Sequence, residues 1–215
     1  MAWSGRDMGV CELPNMKNDA LAMQFRSWAT GVEFELQFWE NWMKTSGAQW
    51  PDDFAIRVAG DGPVDLRVVE GLADPLTARF LDVGAGPITA HGVMWQGRKI
   101  DLVCVDPLAP YYAELGTRYG VSVNVKQAFA EDLTAAFEEG TFDRTMCRNA
   151  LDHSFDPMRG IEEMIRVTKI GGKIFLDHWI NEAEFNKYAD FHQWNFDEDN
   201  GRFVIWDGEG EAVRR

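Results

Sequence analysis

The 215-residue sequence predicts an α/β fold: a doubly wound, mostly parallel sheet with flanking helices and an N-terminal helical extension. Three features point to it. From about Pro75 onward, short apolar runs of strand length alternate with helix-like segments; the first of those runs opens into a glycine-rich loop; and a long amphipathic stripe precedes both.

The stripe comes first. Phe25, Ala29, Val32, Leu36, Trp39 and Met43 recur at steps of four and three, and Trp28, Phe38 and Trp42 widen the face. Gly47 and Trp50-Pro51 stop the helix, and its aromatic face is expected to pack against the main domain. Residues 51–75, rich in Gly, Asp and Pro, read as a connector with one or two short helices. The chain thus divides into 1–75, extension and connector, and 76–215, the main domain.

In the main domain, strands are expected at 79–83, 101–105, 122–126, 142–147 and 173–176, each followed by a helical segment. One helix, 108–119, is closed by Gly120, and a shorter one, 131–137, by Gly140. The best-marked helix has Asp156 as N-cap and Pro157 at its first position. It carries Ile161, Met164, Ile165 and Val167 and is expected to end at Gly171-Gly172. Asp199-Asn200-Gly201 reads as a hairpin turn between Trp194-Asn195-Phe196 and residues 203–206.

Composition narrows the partners. A formal net charge of −14 repels nucleic-acid phosphates and anionic membranes, so neither nucleic acid nor membrane is expected as a partner. The acidic run Asp197, Glu198, Asp199, Asp207, Glu209 and Glu211 reads as a solvated face. Cys11, Cys104 and Cys147 are odd in number and lack a CxxC pair, which fits a reducing cytoplasm. Residues 1–10 lack the apolar core of a signal peptide. His91, His153, His178 and His192 show no close ligand pairing with Asp or Glu that would argue for a metal, so none is expected.

The chemistry gathers at strand ends. Asp82, Gly84, Ala85 and Gly86 form the loop after the first strand, where absent side chains let backbone approach a nucleotide-like ligand. Asp106-Pro107 ends the second strand 20 positions after Gly86, where a carboxylate can accept from both ribose hydroxyls. That pair suits either a dinucleotide or S-adenosylmethionine. Thr89 stands where a dinucleotide fingerprint needs its third glycine, which disfavours a pyrophosphate.

With these residues the sequence resembles the Rossmann-like class I S-adenosylmethionine-dependent methyltransferases over roughly residues 75–179. Leu81 to Gly86 resembles the family's glycine loop, Val103 to Pro107 its ribose-binding strand end, and Ala130-Glu131-Asp132-Leu133 its adenine loop. Phe142-Asp143, Asn149 to His153 and Val167 to Phe175 resemble the fourth strand, its active-site loop and the following helix-Gly-Gly-strand. The sequence departs at Ile88, where the family has a third glycine, at Phe129, where an acidic residue is common, and at the carboxyl end, where one hairpin stands for two more strands.

The resemblance implies S-adenosyl-L-methionine as cofactor, held by Asp82, Gly84, Ala85, Gly86, Asp106, Pro107, Ala130, Glu131 and Asn149. It places Asn149 and His153 beside the transferred methyl. His153 is then either a general base or a loop-stabilising group. His178, Trp179, His192 and Trp194, with Gln193 and Asn195, are candidates to hold a small-molecule or carbohydrate acceptor. Two other readings stay open: an NAD(P)-dependent oxidoreductase, and a catalytically silent binding protein on the same scaffold.

Overall fold

The computed structural model describes residues 19–208 and 213–214. Residues 1–10, Cys11, Glu209 and Glu211, on which expectations above rest, lie outside the described residues.

The amphipathic stripe forms α1 (Asp19–Lys44), and the connector carries α2 (Pro51–Ala59) and α3 (Leu66–Val69). The first main-domain strand is β1 (Arg79–Val83), followed by a two-residue hairpin, β2 (Met94–Trp95) and β3 (Arg98–Lys99), and then β4 (Asp101–Val105). α4 (Ala109–Tyr119), β5 (Phe142–Arg148), α5 (Pro157–Val167) and β6 (Thr168–Asp177) continue the alternation. α6 (Glu182–Phe185) leads into an antiparallel sheet of β7 (Asn195–Asp199), β8 (Arg202–Trp206) and β9 (Val213–Arg214).

The main sheet has the order β4-β1-β5-β6, and every pairing in it is parallel. Its side chains alternate between faces, as the pleat requires. From β1, Leu81 and Val83 join Met164 and Val167 of α5 in one core, while Phe80 joins Val68 and Val69 of α3 in another. Both faces are covered, as a parallel sheet needs. In β7 and β8, Phe196 and Ile205 dock the small sheet onto the α5-side core.

A third core joins α1 to α4 through Trp28, Trp42, Leu108 and Tyr112. Gly31 makes this close approach possible: a Cβ there would lie 2.1 Å from the Phe191 ring, which stacks on Trp28 at 5.4 Å. The buried stripe is narrower than the sequence suggests. Ala29 and Phe38 are exposed, because the packed face centres on Trp28, Gly31, Trp42 and Met43.

Three expectations are corrected. No helix follows β1: residues 84–100 form an irregular loop and the β2-β3 hairpin. Residues 122–126 make a single parallel bridge, Lys126 to Val105, instead of a ladder. Val123 instead lies against α4 at Gly116, where a Cβ would be 2.6 Å from it. Finally, α5 ends at Val167, four residues before Gly171-Gly172. The Thr168 hydroxyl donates to the Met164 carbonyl and meets the Thr145 hydroxyl of β5, drawing the chain into the sheet. The glycines sit where the β5-β6 register slips, and a Cβ on Gly172 would lie 2.9 Å from the Asp143 carbonyl.

Three cap and turn signals hold, and the expected 131–137 helix closed by Gly140 does not form as such. Asp156 caps α5 by accepting from the Arg159 N–H, Gly120 closes α4 at φ 70°, and Asn200-Gly201 turn the β7-β8 hairpin at positive φ. The 131–137 segment is a kinked 3-10 turn, Ala130–Ala135.

Candidate active site

The carboxyl ends of β1, β4 and β5 open into a cavity of about 1070 Å³. It lies where the strand order reverses, with β4 on one side of β1 and β5 on the other, the crevice in which open α/β sheets hold ligands.

The glycine loop forms its floor. The N–H groups of Gly84 and Ala85 both donate to the Val105 carbonyl, at 2.9 and 3.0 Å. Gly84 (φ 72°) admits no side chain, since a Cβ would lie 2.3 Å from that of Ala150; at Gly86 (φ 61°) one would lie 2.8 Å from the Trp39 ring. The loop is therefore gripped between the β5 loop and α1. Asp82 braces it from below, its Oδ2 accepting from the Thr89 hydroxyl at 2.6 Å and its Oδ1 facing His91 Nε2 at 3.6 Å. Burial pushes the Asp82 carboxyl up, against the pull of His91 and Thr89.

Asp106 is buried at the cavity wall. It accepts from the Gly86 N–H through Oδ2 at 3.0 Å and from the Leu108 N–H through Oδ1 at 2.9 Å. Each oxygen keeps a second lone pair for a ligand. Burial pushes this carboxyl up to about 7. Pro107, Ala130 and Glu131 also line the cavity. The Glu131 carboxylate accepts from the Phe155 and Asp156 N–H groups at 2.9 and 3.1 Å, which fixes the entry to α5, and burial raises it to about 7. Asn149, at φ 46°, accepts from the Trp179 N–H through Oδ1.

Opposite the loop stands a cluster that sequence spacing did not reveal. A 3-10 turn, Leu151–His153, presents Asp152 and His153 together, and the Gln193 N–H donates to the Asp152 carbonyl, which brings His192 alongside. His192 Nδ1 lies 2.9 Å from Asp152 Oδ2, and His153 Nε2 lies 3.1 Å from His192 Nδ1 and 3.3 Å from the same carboxylate oxygen. These ligand atoms all lie within 4.8 Å of one another, which overturns the expectation of no metal-ligand grouping. His153 Nδ1 faces Glu35 of α1 at 4.0 Å. Burial alone would raise the Asp152 carboxyl, but the surrounding imidazoles hold it below the usual range. Burial would lower His192; its bond to Asp152 overrides that and raises it.

Of the expected acceptor contacts, Trp179 and His192 line the cavity. His178 and Trp194 do not. His178 is buried behind Asp152 and stacks on Phe196, and Trp194 donates its Nε1–H to the Ser154 carbonyl while packing into the core. Asn195 and Gln193 are likewise spent, on Glu184, Tyr188 and Asp190. Asp152, Glu35 and Trp39 were missed. Glu35 had a signal: it lies four residues before Trp39 and seven before Trp42, a carboxylate inside an aromatic stripe. Trp39 Nε1–H donates to it at 2.6 Å.

Strand order, glycine loop and buried Asp106 define a Rossmann-like domain with a ligand crevice at its switch point. More narrowly, residues 81–176 match the family model described as a methyltransferase domain, in line with the resemblance of the sequence to class I S-adenosylmethionine-dependent methyltransferases. The ubiquinone biosynthesis O-methyltransferase of Xanthomonas axonopodis pv. citri (strain 306) is 34% identical over 116 residues, covering 53% of this chain and 48% of that one. The protein of the same name from Paraburkholderia phymatum is 31% identical, covering 53% and 50%. The chain spans about half the length of these curated relatives. A solved S-adenosylmethionine-dependent methyltransferase from Thermotoga maritima is 21% identical, with a TM-score of 0.45, over 72% of this chain and 70% of that one.

The cofactor of this domain class is S-adenosyl-L-methionine, and the site fits it. A glycine floor without room for Cβ atoms and a buried carboxylate with free lone pairs suit a methionine moiety and a ribose. No helix of the described residues is long and apolar enough to cross a membrane.

Proposed function

We propose that the chain transfers a methyl group from S-adenosylmethionine to a hydroxyl of a small-molecule acceptor. One observation carries this reading: the Gly84–Gly86 loop with Asp106, and His153 with His192, both held by the buried Asp152, face the same cavity. S-adenosylmethionine, when bound, supplies an electrophilic methyl; a C–O bond forms to the acceptor as the C–S bond breaks, its electron pair remaining on sulfur. Asp106 and the loop hold the donor, Pro107 and Ala130 bound the adenosyl end, and Asn149 fixes the segment carrying the reacting face. His153 takes the hydroxyl proton, with Asp152 and Glu35 stabilising the imidazolium that forms. Most of the rate gain comes from holding acceptor and methyl in line.

The cavity wall favours a flat, apolar acceptor over a carbohydrate. Trp28, Phe38, Trp39, Phe129 and Phe191 line it, whereas Trp194, Gln193 and Asn195, which would have held a sugar, are bonded to the protein itself. The curated relatives are named O-methyltransferases, which supports oxygen as the accepting atom. The oxidoreductase reading loses support, because no helix N-terminus follows the glycine loop to receive a pyrophosphate. Residues 1–75 serve in this reading as a packing element whose α1 closes one side of the cavity. The free thiols Cys104 and Cys147 support a cytoplasmic setting.

The test supplies methyl-labelled S-adenosylmethionine with a panel of phenols and monosaccharides. Label is expected on a phenolic oxygen, with S-adenosylhomocysteine formed in equal amount. Transfer to sugars alone would overturn the preference for a flat, apolar acceptor, and transfer to nothing would remove the proposal.

A further inference from the structure

The Asp152 cluster does more than a proton acceptor needs. The distances between its three donor atoms, 2.9, 3.1 and 3.3 Å, are those of the edges of a coordination shell. For bonds of ~2.1 Å, two ligands stand roughly 3.0 Å apart at a right angle and roughly 3.4 Å apart at the tetrahedral angle. Two of the atoms are imidazole nitrogens, and both face the same carboxylate oxygen, Asp152 Oδ2.

A second observation is independent of those distances. Asp152 is 1% exposed, yet its Oδ1 has no hydrogen-bond partner. His178, whose side chain is 4% exposed, has none on either ring nitrogen, and its Nδ1 lies 3.9 Å from that same Oδ1. Orphaned buried polar atoms cost free energy, so three on two facing side chains mark a position that stays polar for a reason. On the far side of His153 the Glu35 carboxylate stands 4.0 Å from Nδ1, beyond hydrogen-bond reach but on the side from which a carboxylate can orient a ligating imidazole.

We propose that Asp152, His153 and His192 bind one divalent first-row transition-metal cation, with Glu35 and His178 as orienting groups. Two imidazoles and one carboxylate suit zinc, iron or cobalt and do not suit magnesium or calcium, which prefer all-oxygen shells. His153 and His192 both line the cavity, so the remaining coordination positions face it. Three protein ligands with open positions are the pattern of a reactive metal site, not a structural one. An acceptor hydroxyl on such a position would lose its proton more readily. In the loaded chain His153 would then act as a ligand and not as the base: the cation would acidify the bound hydroxyl, and the released proton would pass to solvent water in the open cavity.

The inference goes beyond the methyl-transfer reading and is tested apart from it. The tag-free chain, stripped with chelator and shown folded by circular dichroism, is titrated with Co2+ and with Zn2+, with Mg2+ as competitor. About one Co2+ per chain is expected, with visible ligand-field bands, displaced by Zn2+ and untouched by Mg2+. Asp152→Asn and His192→Gln should each weaken uptake more than roughly 100-fold, and Glu35→Gln roughly 10-fold. Absence of uptake by the folded chain, or uptake unchanged in both ligand variants, would overturn the site. S-adenosylmethionine titrated into the same samples separates the two readings: donor binding without metal leaves methyl transfer standing and this site refuted, and metal without donor does the reverse.

Discussion

Replacing Asp106 by asparagine tests the donor site at its most consequential residue. The carboxylate is buried, anchored by the Gly86 and Leu108 N–H groups, and keeps one lone pair per oxygen for the ribose hydroxyls. Hydrogen bonds to a charged group are worth about 1.5–3 kcal/mol. Asparagine retains one acceptor oxygen, so one charge-assisted bond is lost and the other falls to neutral strength, for a net loss of about 2–3 kcal/mol. Donor affinity should fall roughly 30- to 150-fold. The pH dependence is a second readout. Burial raises the Asp106 carboxyl to about 7, and only the ionised form accepts from both hydroxyls. Affinity of the unaltered chain should therefore rise from pH 6 to pH 8, and that of Asp106→Asn should not. Isothermal calorimetry at the two pH values measures both effects. An affinity within a few-fold of the unaltered chain, with the pH dependence retained, would refute the assignment.

Further substitutions probe the rest of the site. His153→Gln should leave donor affinity unchanged in calorimetry and lower turnover, typically by ~100-fold or more for a lost base; equal loss of both would contradict its role. Gly84→Ala forces a Cβ toward Ala150 at a left-handed position, so thermal melts should show a loss of about 2–4 kcal/mol, partly restored by adding Ala150→Gly. Glu131 is raised to about 7 by burial, so the folded chain holds that proton more tightly than the unfolded one. Its contribution to stability must therefore fall as pH rises from about 4.5 to about 7. Glu131→Gln should flatten the melting temperature over that window, and an unchanged slope would sink the argument. Trp194→Phe should cost about 1 kcal/mol of stability through the lost bond to Ser154 and leave the KM for acceptor unchanged, whereas Trp39→Ala should raise it.

Much of this architecture is local and therefore legible. β1 and β4 match the expected bounds, and the caps at Asp156, Gly120 and Asn200-Gly201 act through neighbours a few residues away. The glycine loop and Asp106 are readable because the loop is continuous and the acid closes the next strand. What was misread depends on distant partners. Gly171-Gly172 resembles a helix stop, but Thr168 is pulled into the sheet by Thr145, 23 residues earlier. Residues 122–126 have strand composition, yet their packing goes to α4. Trp194 and Asn195 looked free for a ligand because nothing in their spacing shows that Ser154, Glu184 and Tyr188 occupy them. The Asp152 cluster was hidden for the same reason: His192 lies 40 residues from the carboxylate it meets.

The central claim is that the cavity at the β1-β5 switch point binds S-adenosylmethionine, and calorimetric titration tests it most directly. The chain should bind S-adenosylmethionine and S-adenosylhomocysteine in the micromolar range, about 8 kcal/mol, and should not bind NAD. Selective binding of NAD, or binding of none of the three, would contradict the account.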